Sequence, residues 1–303
     1  MASKQTAAVT FSAHAKINLY LHVTAKRANG YHELDSLIAF AGTGDQITIE
    51  PCTDLTFSVT GPRAAGIPLS DDNLVLKAAR LLATHTNISA GAAITLEKNL
   101  PASSGIGGGS ADAAATLIGL AQHWNLSITT PELCALGLPL GADIPICVYG
   151  QAALVSGIGE IIKPAPTLPS AWLVLANPGV PVSTPRVFAA RTGDFSKPAP
   201  LDKKPKDARD FATALKTRRN DLTDAAIAVA PAIKETLDAL QQCPDALLSR
   251  LSGSGATCFA LFAGEQQAQT GAKTLKNDHP DWWIEATPLL ANTRVNTGAN
   301  TAT

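Results

Sequence analysis

The run Pro101-Ala-Ser-Ser-Gly-Ile-Gly-Gly-Gly-Ser-Ala-Asp-Ala-Ala-Ala115 constrains this chain more than any other stretch, because four glycines within five positions lead into an alanine-rich segment. Gly105, Gly107, Gly108 and Gly109 remove the Cβ atoms that would keep backbone N–H groups away from an anion, and they permit the positive φ angles of a tight loop. The residues that follow predict a helix from Ser110 to about Trp124, capped by Ser110 and with Asp112 in its first turn. Ala114, Leu117, Ile118, Ala121 and Trp124 recur at helical spacing and form its buried face. Such a helix adds unpaired N–H groups and the positive end of its dipole, which makes the run a phosphate cradle.

The spacing excludes the commoner phosphate loops. A P-loop needs GxxxxGK[ST], and the chain holds no Gly-Lys pair. A dinucleotide fingerprint needs a third glycine where Ser110 stands. The HRD and DFG signatures of protein kinases are absent as well.

Composition narrows the class further. At 303 residues and 46% hydrophobic content the chain can build two domains with real cores. Lys+Arg 24 against Asp+Glu 25 leaves a formal charge of −1, which favours neither nucleic acid nor an anionic membrane as partner. Five scattered cysteines, Cys52, Cys134, Cys147, Cys243 and Cys258, form no CxxC pair, so reduced thiols in a cytoplasm are expected, and no metal-ligand spacing links them to histidines. No signal peptide or membrane span is expected either.

Along the chain, Val9 to Val23 alternate as a strand with a disturbance near Lys16, and Asn29-Gly30 marks a turn. Gln46–Glu50, Leu55–Thr60 and Ala93–Glu97 read as strands, Asp71-Asp72-Asn73 opens a helix, and Thr130-Pro131 caps and starts another. Ala152–Val155 and Ile158–Ile162 suggest a hairpin. The proline-rich stretch 163–169 then separates a first domain, 1–165, from a second, 166–291. In the second, strands are expected at Trp172–Ala176, Thr257–Phe262 and Trp282–Ala286, and helices at Arg186–Arg191, Asp207–Leu215, Pro231–Gln242 and Glu265–Lys276. Asp194–Lys206 reads as a mobile loop and 292–303 as a disordered tail. The alternation without a repeat predicts two α+β domains.

Three separated motifs, Ala15-Lys-Ile-Asn-Leu19, Gly105-Ile-Gly-Gly-Gly-Ser-Ala-Asp-Ala-Ala114 and Leu251-Ser-Gly-Ser-Gly-Ala256, resemble in order and spacing those of the GHMP kinases. Gly30-Tyr31-His32, Gly141-Ala-Asp-Ile-Pro145, Asn177-Pro-Gly179 and Thr184-Pro185 are similar to the branch that phosphorylates a cytidine-diphosphate-linked methylerythritol. The resemblance implies a ribosomal-protein-S5-domain-2-like first domain, a ferredoxin-like α/β second domain and an active site in the cleft between them. It implies transfer of the γ-phosphoryl group of ATP, with Mg²⁺, to the 2-hydroxyl of that acceptor in the non-mevalonate route to isoprenoids. The expected state is a monomer or weak homodimer.

Residue by residue, the resemblance makes Asp143 the base that takes the hydroxyl proton and Lys16 its partner, which steadies the carboxylate and polarises the acceptor oxygen. Pro101, Ser103, Ser104, Gly105, Gly107, Gly108, Gly109 and Ser110 are expected around ATP. Tyr31 and Phe188 are expected on the two faces of the cytosine, with His32 hydrogen-bonded to it. Asn18 is expected near the methylerythritol hydroxyls, and Thr184 and Gly253 close the acceptor site. Read without the resemblance, Asp143 is a surface carboxylate, Lys16 a solvated strand lysine, Phe188 a core residue, and Ser252 and Ser254 part of a tight turn. Other small-molecule GHMP kinases, acting on homoserine or mevalonate compounds, and an RNA-binding module stand as alternatives. Tyr31-His32 and Gly-Ala-Asp-Ile-Pro count against the former, the charge balance against the latter. Ile106 for the family's usual Leu and Ala111 for its usual Ser are departures that leave every loop glycine in place.

Overall fold

In the computed structural model, which describes residues 8–293, the chain opens on a long hairpin. Strands β1 (Val9–Lys26) and β2 (His32–Glu50) pair antiparallel from Val9 opposite Ile49 to Lys26 opposite His32. Their register slips between His14 and Lys16 and again between Asn18 and Tyr20. Bulges re-aim side chains, and these two bracket the disturbance visible in the sequence at Lys16. Strand β2 is far longer than Gln46–Glu50, because Leu37, Ile38, Ala39, Phe40 and Ala41 are buried in succession and lose the alternation that marks a half-exposed strand.

There follow β3 (Leu55–Thr60), α1 (Leu74–Thr86), β4 (Ala92–Glu97), α2 (Gly108–His123), α3 (Thr130–Gly137), α4 (Ile144–Tyr149), β5 (Ala153–Gly157) and β6 (Ile161–Pro164). Helix α1 is capped by Asn73, whose side chain accepts a bond from the N–H of Val75 at 2.9 Å. The phosphate-loop helix starts two residues earlier than expected: Gly107 is its cap, Ser110 lies inside its first turn, and Asp112 falls beyond that turn. Helix α3 is capped by Thr129 rather than Thr130, since Glu132 completes a capping box with Thr129. Small residues along α2 let it lie close to the sheet, with Leu117 and Leu120 buried in the cluster that holds Ile47 and Ile49. Burying each leucine contributes about 1.5–3 kcal/mol, and the packing fixes where the N-terminus of α2 points.

The second half holds β7 (Trp172–Asn177), α5 (Thr184–Ala190), α6 (Ala208–Lys216), α7 (Thr223–Val229), α8 (Ala232–Gln242), β8 (Leu248–Leu251), β9 (Cys258–Phe262), α9 (Glu265–Asp278) and β10 (Trp283–Leu290). Strand β10 pairs with β7 over Trp283–Pro288 and then with β2 through Leu289 and Leu290. The result is one ten-stranded sheet with the path β3-β4-β2-β10-β7-β9-β8, while β1 and β5 pair with other stretches of β2. The stretch between β6 and β7 contains the expected division at 165/166, yet the sheet itself crosses it.

Two expectations need correction. The segment 194–206 has no helix or strand, but it is tied down: Ser196 N–H donates to Val23 O at 2.9 Å, Ala199 N–H to Asp35 Oδ2 at 2.6 Å, and Leu201 is buried. At the C-terminal end, Asn292 bridges to Gln151 and Thr293 N–H donates to Gly150 O at 2.9 Å, so the expected tail does not begin at 292; its remainder lies outside the described residues.

Candidate active site

Lys16 sits between the first two of the three register shifts of β1, held by its own N–H to Ile106 O at 2.9 Å. Its Nζ stands 2.9 Å from Asp143 Oδ2 and donates to Asn18 Oδ1 at 2.9 Å. The lysine side chain is 5% exposed and the aspartate 42%, so the pair has a buried root and an open end. Asp143 occupies the cap position of α4 without making a capping bond, which leaves its carboxylate to Lys16 and the cleft. Asn18 is fixed from three sides: it accepts from Lys16, donates through Nδ2 to Ser36 Oγ at 2.9 Å, and donates its backbone N–H to Ser252 Oγ at 3.2 Å.

The glycine loop packs on this pair. A Cβ on Gly107, at φ +64°, would come within 3.3 Å of Lys16 Cβ and Cε, so the missing side chain lets the loop rest on the lysine stem. A Cβ on Gly105, at φ +74°, would lie 2.6 Å from the N and O of Gly255 and 2.7 Å from Ser252 O. Thr257 N–H donates to Ser104 O at 3.0 Å and Ser252 Oγ to Gly105 O at 3.3 Å, which clamps the third motif onto the second. Asn220, which sequence reasoning missed, donates through Nδ2 to Leu251 O at 2.9 Å and Gly253 O at 2.8 Å and so holds the turn from behind. The first turn of α2 presents the N–H groups of Gly108, Gly109 and Ser110, which no preceding helical carbonyl can satisfy.

Of the residues expected around ATP, Ser103, Ser104, Gly105, Gly107, Gly108, Gly109 and Ser110 line the cleft. Pro101 does not: it is buried, and its carbonyl accepts the Ser104 hydroxyl at 2.7 Å. Its part is to shape the loop, and the Ser104 hydroxyl is already engaged there.

Beneath the loop lies a charged cluster that the sequence did not signal. Lys98 reaches Asp45 and, at 3.0 Å, Asp112; Asp45 Oδ1 also accepts the N–H groups of Asn99 at 2.6 Å and Leu100 at 2.8 Å. Asp112 Oδ1 is buried without a hydrogen-bond partner. Burial pushes the Asp112 carboxyl up to about 8 against the pull of Lys98, with the Asp45 charge adding to the rise.

Asn18, Tyr31, His32, Asp143, Thr184, Phe188 and Gly253 all line the same cleft of about 1170 Å³. A pocket for one small ligand holds roughly 300–1,000 Å³, so this one has room for two molecules in contact. At the end away from the loop, the His32 and Phe188 rings stack at 5.0 Å and 23°, while Tyr31 is 59% exposed. Phe188 thus packs on His32 directly. Burial, then the charges of Lys26 and Arg191, lower the His32 pKa and favour the neutral ring. Thr184 Oγ1 lies 2.8 Å from Ser254 Oγ, joining the start of α5 to the third motif.

A glycine loop at a helix N-terminus, packed on a lysine–aspartate pair in a cleft that the second half closes, defines a small-molecule kinase of the GHMP class. Residues 73–151 match the GHMP kinases N terminal domain and residues 201–281 the GHMP kinases C terminal domain. The 4-diphosphocytidyl-2-C-methyl-D-erythritol kinase of Paramagnetospirillum magneticum (strain ATCC 700264 / AMB-1) is 52% identical over 93% of this chain and 99% of its own. That of Rhodospirillum rubrum is 48% identical over 93% of each. A crystal structure of 4-(cytidine 5'-diphospho)-2C-methyl-D-erythritol kinase superposes with a TM-score of 0.77 at 32% identity, covering 93% of this chain and 99% of that one. The chain belongs to the 4-diphosphocytidyl-2-C-methyl-D-erythritol kinase family. A homoserine kinase from Cytophaga hutchinsonii shares the fold, with a TM-score of 0.72 at 16% identity over 97% of both chains.

Proposed function

We propose that the cleft transfers the γ-phosphoryl group of ATP to the 2-hydroxyl of 4-diphosphocytidyl-2-C-methyl-D-erythritol, giving the 2-phosphate and ADP, with Asp143 as base and Lys16 as its partner. The reaction is a step of the non-mevalonate route to isoprenoid precursors. The observation that carries this assignment of roles is the Lys16–Asp143 contact at 2.9 Å, set where the glycine loop meets the acceptor end of the cleft.

The acceptor oxygen attacks phosphorus as its proton passes to the Asp143 carboxylate; the new O–P bond replaces the bridging bond to the β-phosphate, and ADP leaves. Lys16 Nζ holds Asp143 Oδ2 and faces the oxygen that gains charge, while Asn18 fixes the ammonium. The N–H groups of Gly108, Gly109 and Ser110 and the α2 dipole hold the phosphates. Tyr31, His32 and Phe188 take the cytosine, and Thr184 and Gly253 close the site from the second half.

The donor set fits a Mg²⁺ carried in on ATP. Among the described residues no three His, Cys, Asp or Glu side chains gather as a dedicated cage would, and the one carboxylate at this end of the cleft, Asp143, is partly open. Ser103 and Ser110, which line the loop end of the cleft, would hold the ion beside the phosphates, and it would neutralise the phosphate oxygens. We place the enzyme in the cytoplasm, where its five free thiols would stay reduced.

An ADP-release assay with Mg²⁺-ATP against the cytidylyl-methylerythritol, its unlinked phosphate, homoserine and mevalonate derivatives tests the reading. ADP release with the first alone is the expected result; release with homoserine alone overturns the choice of acceptor.

A further inference from the structure

Two lysines line the cleft, and only one is used by the chemistry above. Lys16 is bound to Asp143 and Asn18. Lys26, the last residue of β1, is exposed and makes no ion pair with any described residue, although it too lines the cleft. It stands directly opposite His32 in the β1–β2 ladder, so the two side chains leave the hairpin on the same face. The His32 ring in turn stacks on Phe188, so Lys26 stands beside the end of the cleft where those two rings meet.

Two arginines near this end are engaged. Arg27 is held by Glu33 at 2.6 Å and Glu160 at 3.2 Å. Arg191 donates to the carbonyls of Gly193 and Asp194 and lies 5.0 Å above the Phe195 ring. A nucleotide base seated at Tyr31, His32 and Phe188, with its sugar alcohol reaching Asp143, must run its phosphates between those two points. Their charges have to be met there, and Lys26 lines the cleft without an anionic partner among the described residues.

We propose that Lys26 binds the diphosphate of the acceptor and thereby selects a nucleoside-diphosphate-linked alcohol over the free alcohol or its monophosphate; this rests on the acceptor reading given above. Lys26 is a specificity residue, distant from the transferring phosphoryl group, so its effect falls on acceptor affinity. An ammonium contact to phosphate at an exposed site is screened by salt, and the preference for a diphosphate weakens as ionic strength rises.

The test is calorimetric binding of cytidine, CMP and CDP, with ADP saturating the donor side, to the wild-type protein and to the Lys26→Ala, Lys26→Gln and Lys26→Arg variants. The wild type is expected to bind CDP about tenfold more tightly than cytidine. Lys26→Ala and Lys26→Gln are expected to lose most of that ratio with cytidine affinity unchanged, which also shows that the pocket is folded, and Lys26→Arg to keep it. A CDP-to-cytidine ratio that is the same in Lys26→Ala as in the wild type, or a wild type that does not prefer CDP, overturns the role of Lys26 while leaving the acceptor reading intact. A wild type that binds neither cytidine nor CDP overturns the acceptor reading and this inference with it.

Discussion

Lys98 Nζ lies 3.0 Å from Asp112 Oδ2, both side chains 4% exposed, and a Cβ on Gly108 would come within 3.2 Å of that ammonium. The floor of the phosphate loop is therefore a buried lysine shared between two carboxylates, Asp45 and Asp112.

That arrangement sets a pH dependence. In the unfolded chain Asp112 titrates near the ordinary carboxylate value, whereas burial lifts it to about 8 in the fold. The folded state then holds the proton more tightly, so the stability this group contributes is complete below the unfolded pKa and is lost as pH rises through the folded one. Thermal unfolding of the wild type from about pH 6 to about pH 9 is expected to show a falling midpoint. Asp112→Asn should flatten the fall, with Asp45 still holding Lys98. Parallel curves for the two proteins would remove Asp112 as the cause.

Asp143→Asn keeps the shape of the side chain but removes the proposed base. Turnover should drop by roughly 10²- to 10⁴-fold while ATP affinity, measured by calorimetry, stays within about twofold. A variant that turns over at nearly the normal rate would refute the assignment.

Gly105 and Gly109 separate loop closure from phosphate approach. At Gly105 an added methyl meets backbone atoms of Gly255 at 2.6 Å on both sides and suits φ +74° poorly, so Gly105→Ala should unseat the third motif, with a lower melting temperature and little activity. At Gly109 the nearest atom is Leu74 Cδ1 at 3.5 Å, and alanine favours the helix. Gly109→Ala is expected to melt no lower than the wild type yet to raise the Michaelis constant for ATP, which steady-state kinetics will read directly.

In the proposed reaction Tyr31 and Phe188 act on the acceptor alone. Stacking on a base contributes about 1–3 kcal/mol, so Tyr31→Ala and Phe188→Ala should each raise the Michaelis constant for the cytidylyl acceptor about 5- to 150-fold without altering that for ATP. An unchanged constant in Tyr31→Ala would show that the exposed ring stays off the base.

Arg250 is a structural counterpart to these. It is buried and donates to Leu19 O at 2.7 Å, Leu215 O at 3.0 Å and Arg218 O at 2.7 Å, joining β8 to β1 and to the end of α6. Arg250→Met fills the space but strands three carbonyls, and denaturant unfolding should show a loss of about 3–5 kcal/mol. A loss under about 1 kcal/mol would mean that water replaces the guanidinium.

Much of the site was legible in the sequence because its elements carry local signals. The glycine loop, the disturbed strand at Lys16 and the isolated aspartate of Gly-Ala-Asp-Ile-Pro were visible as breaks in pattern, and the cleft brings all three together. What escaped notice depends on partners far along the chain. Lys98 reads as an ordinary charge after a strand until Asp45 and Asp112 arrive beside it from elements 53 and 14 residues away. Asn220 has no motif around it and acquires its role from carbonyls 31 and 33 residues on. Helix α7 and strand β8 are too short to show a period, with seven and four residues. The cap of α2 was misplaced for a local reason: a serine suggests a cap, but Gly107 at positive φ already turns the chain into the helix.

Strand β10 bears on how the cleft can open. Its first six residues belong to the ladder of β7 and its last two to that of β2, with Thr43 N–H bonded to Thr287 Oγ1 at 2.9 Å across the join. Swinging the halves apart along this seam would tear main-chain bonds, so the spine of the molecule is stitched. Substrates must then enter and leave where the cleft is not stitched, past the hairpin turn that carries Tyr31 and the helix that carries Phe188, both of which line it.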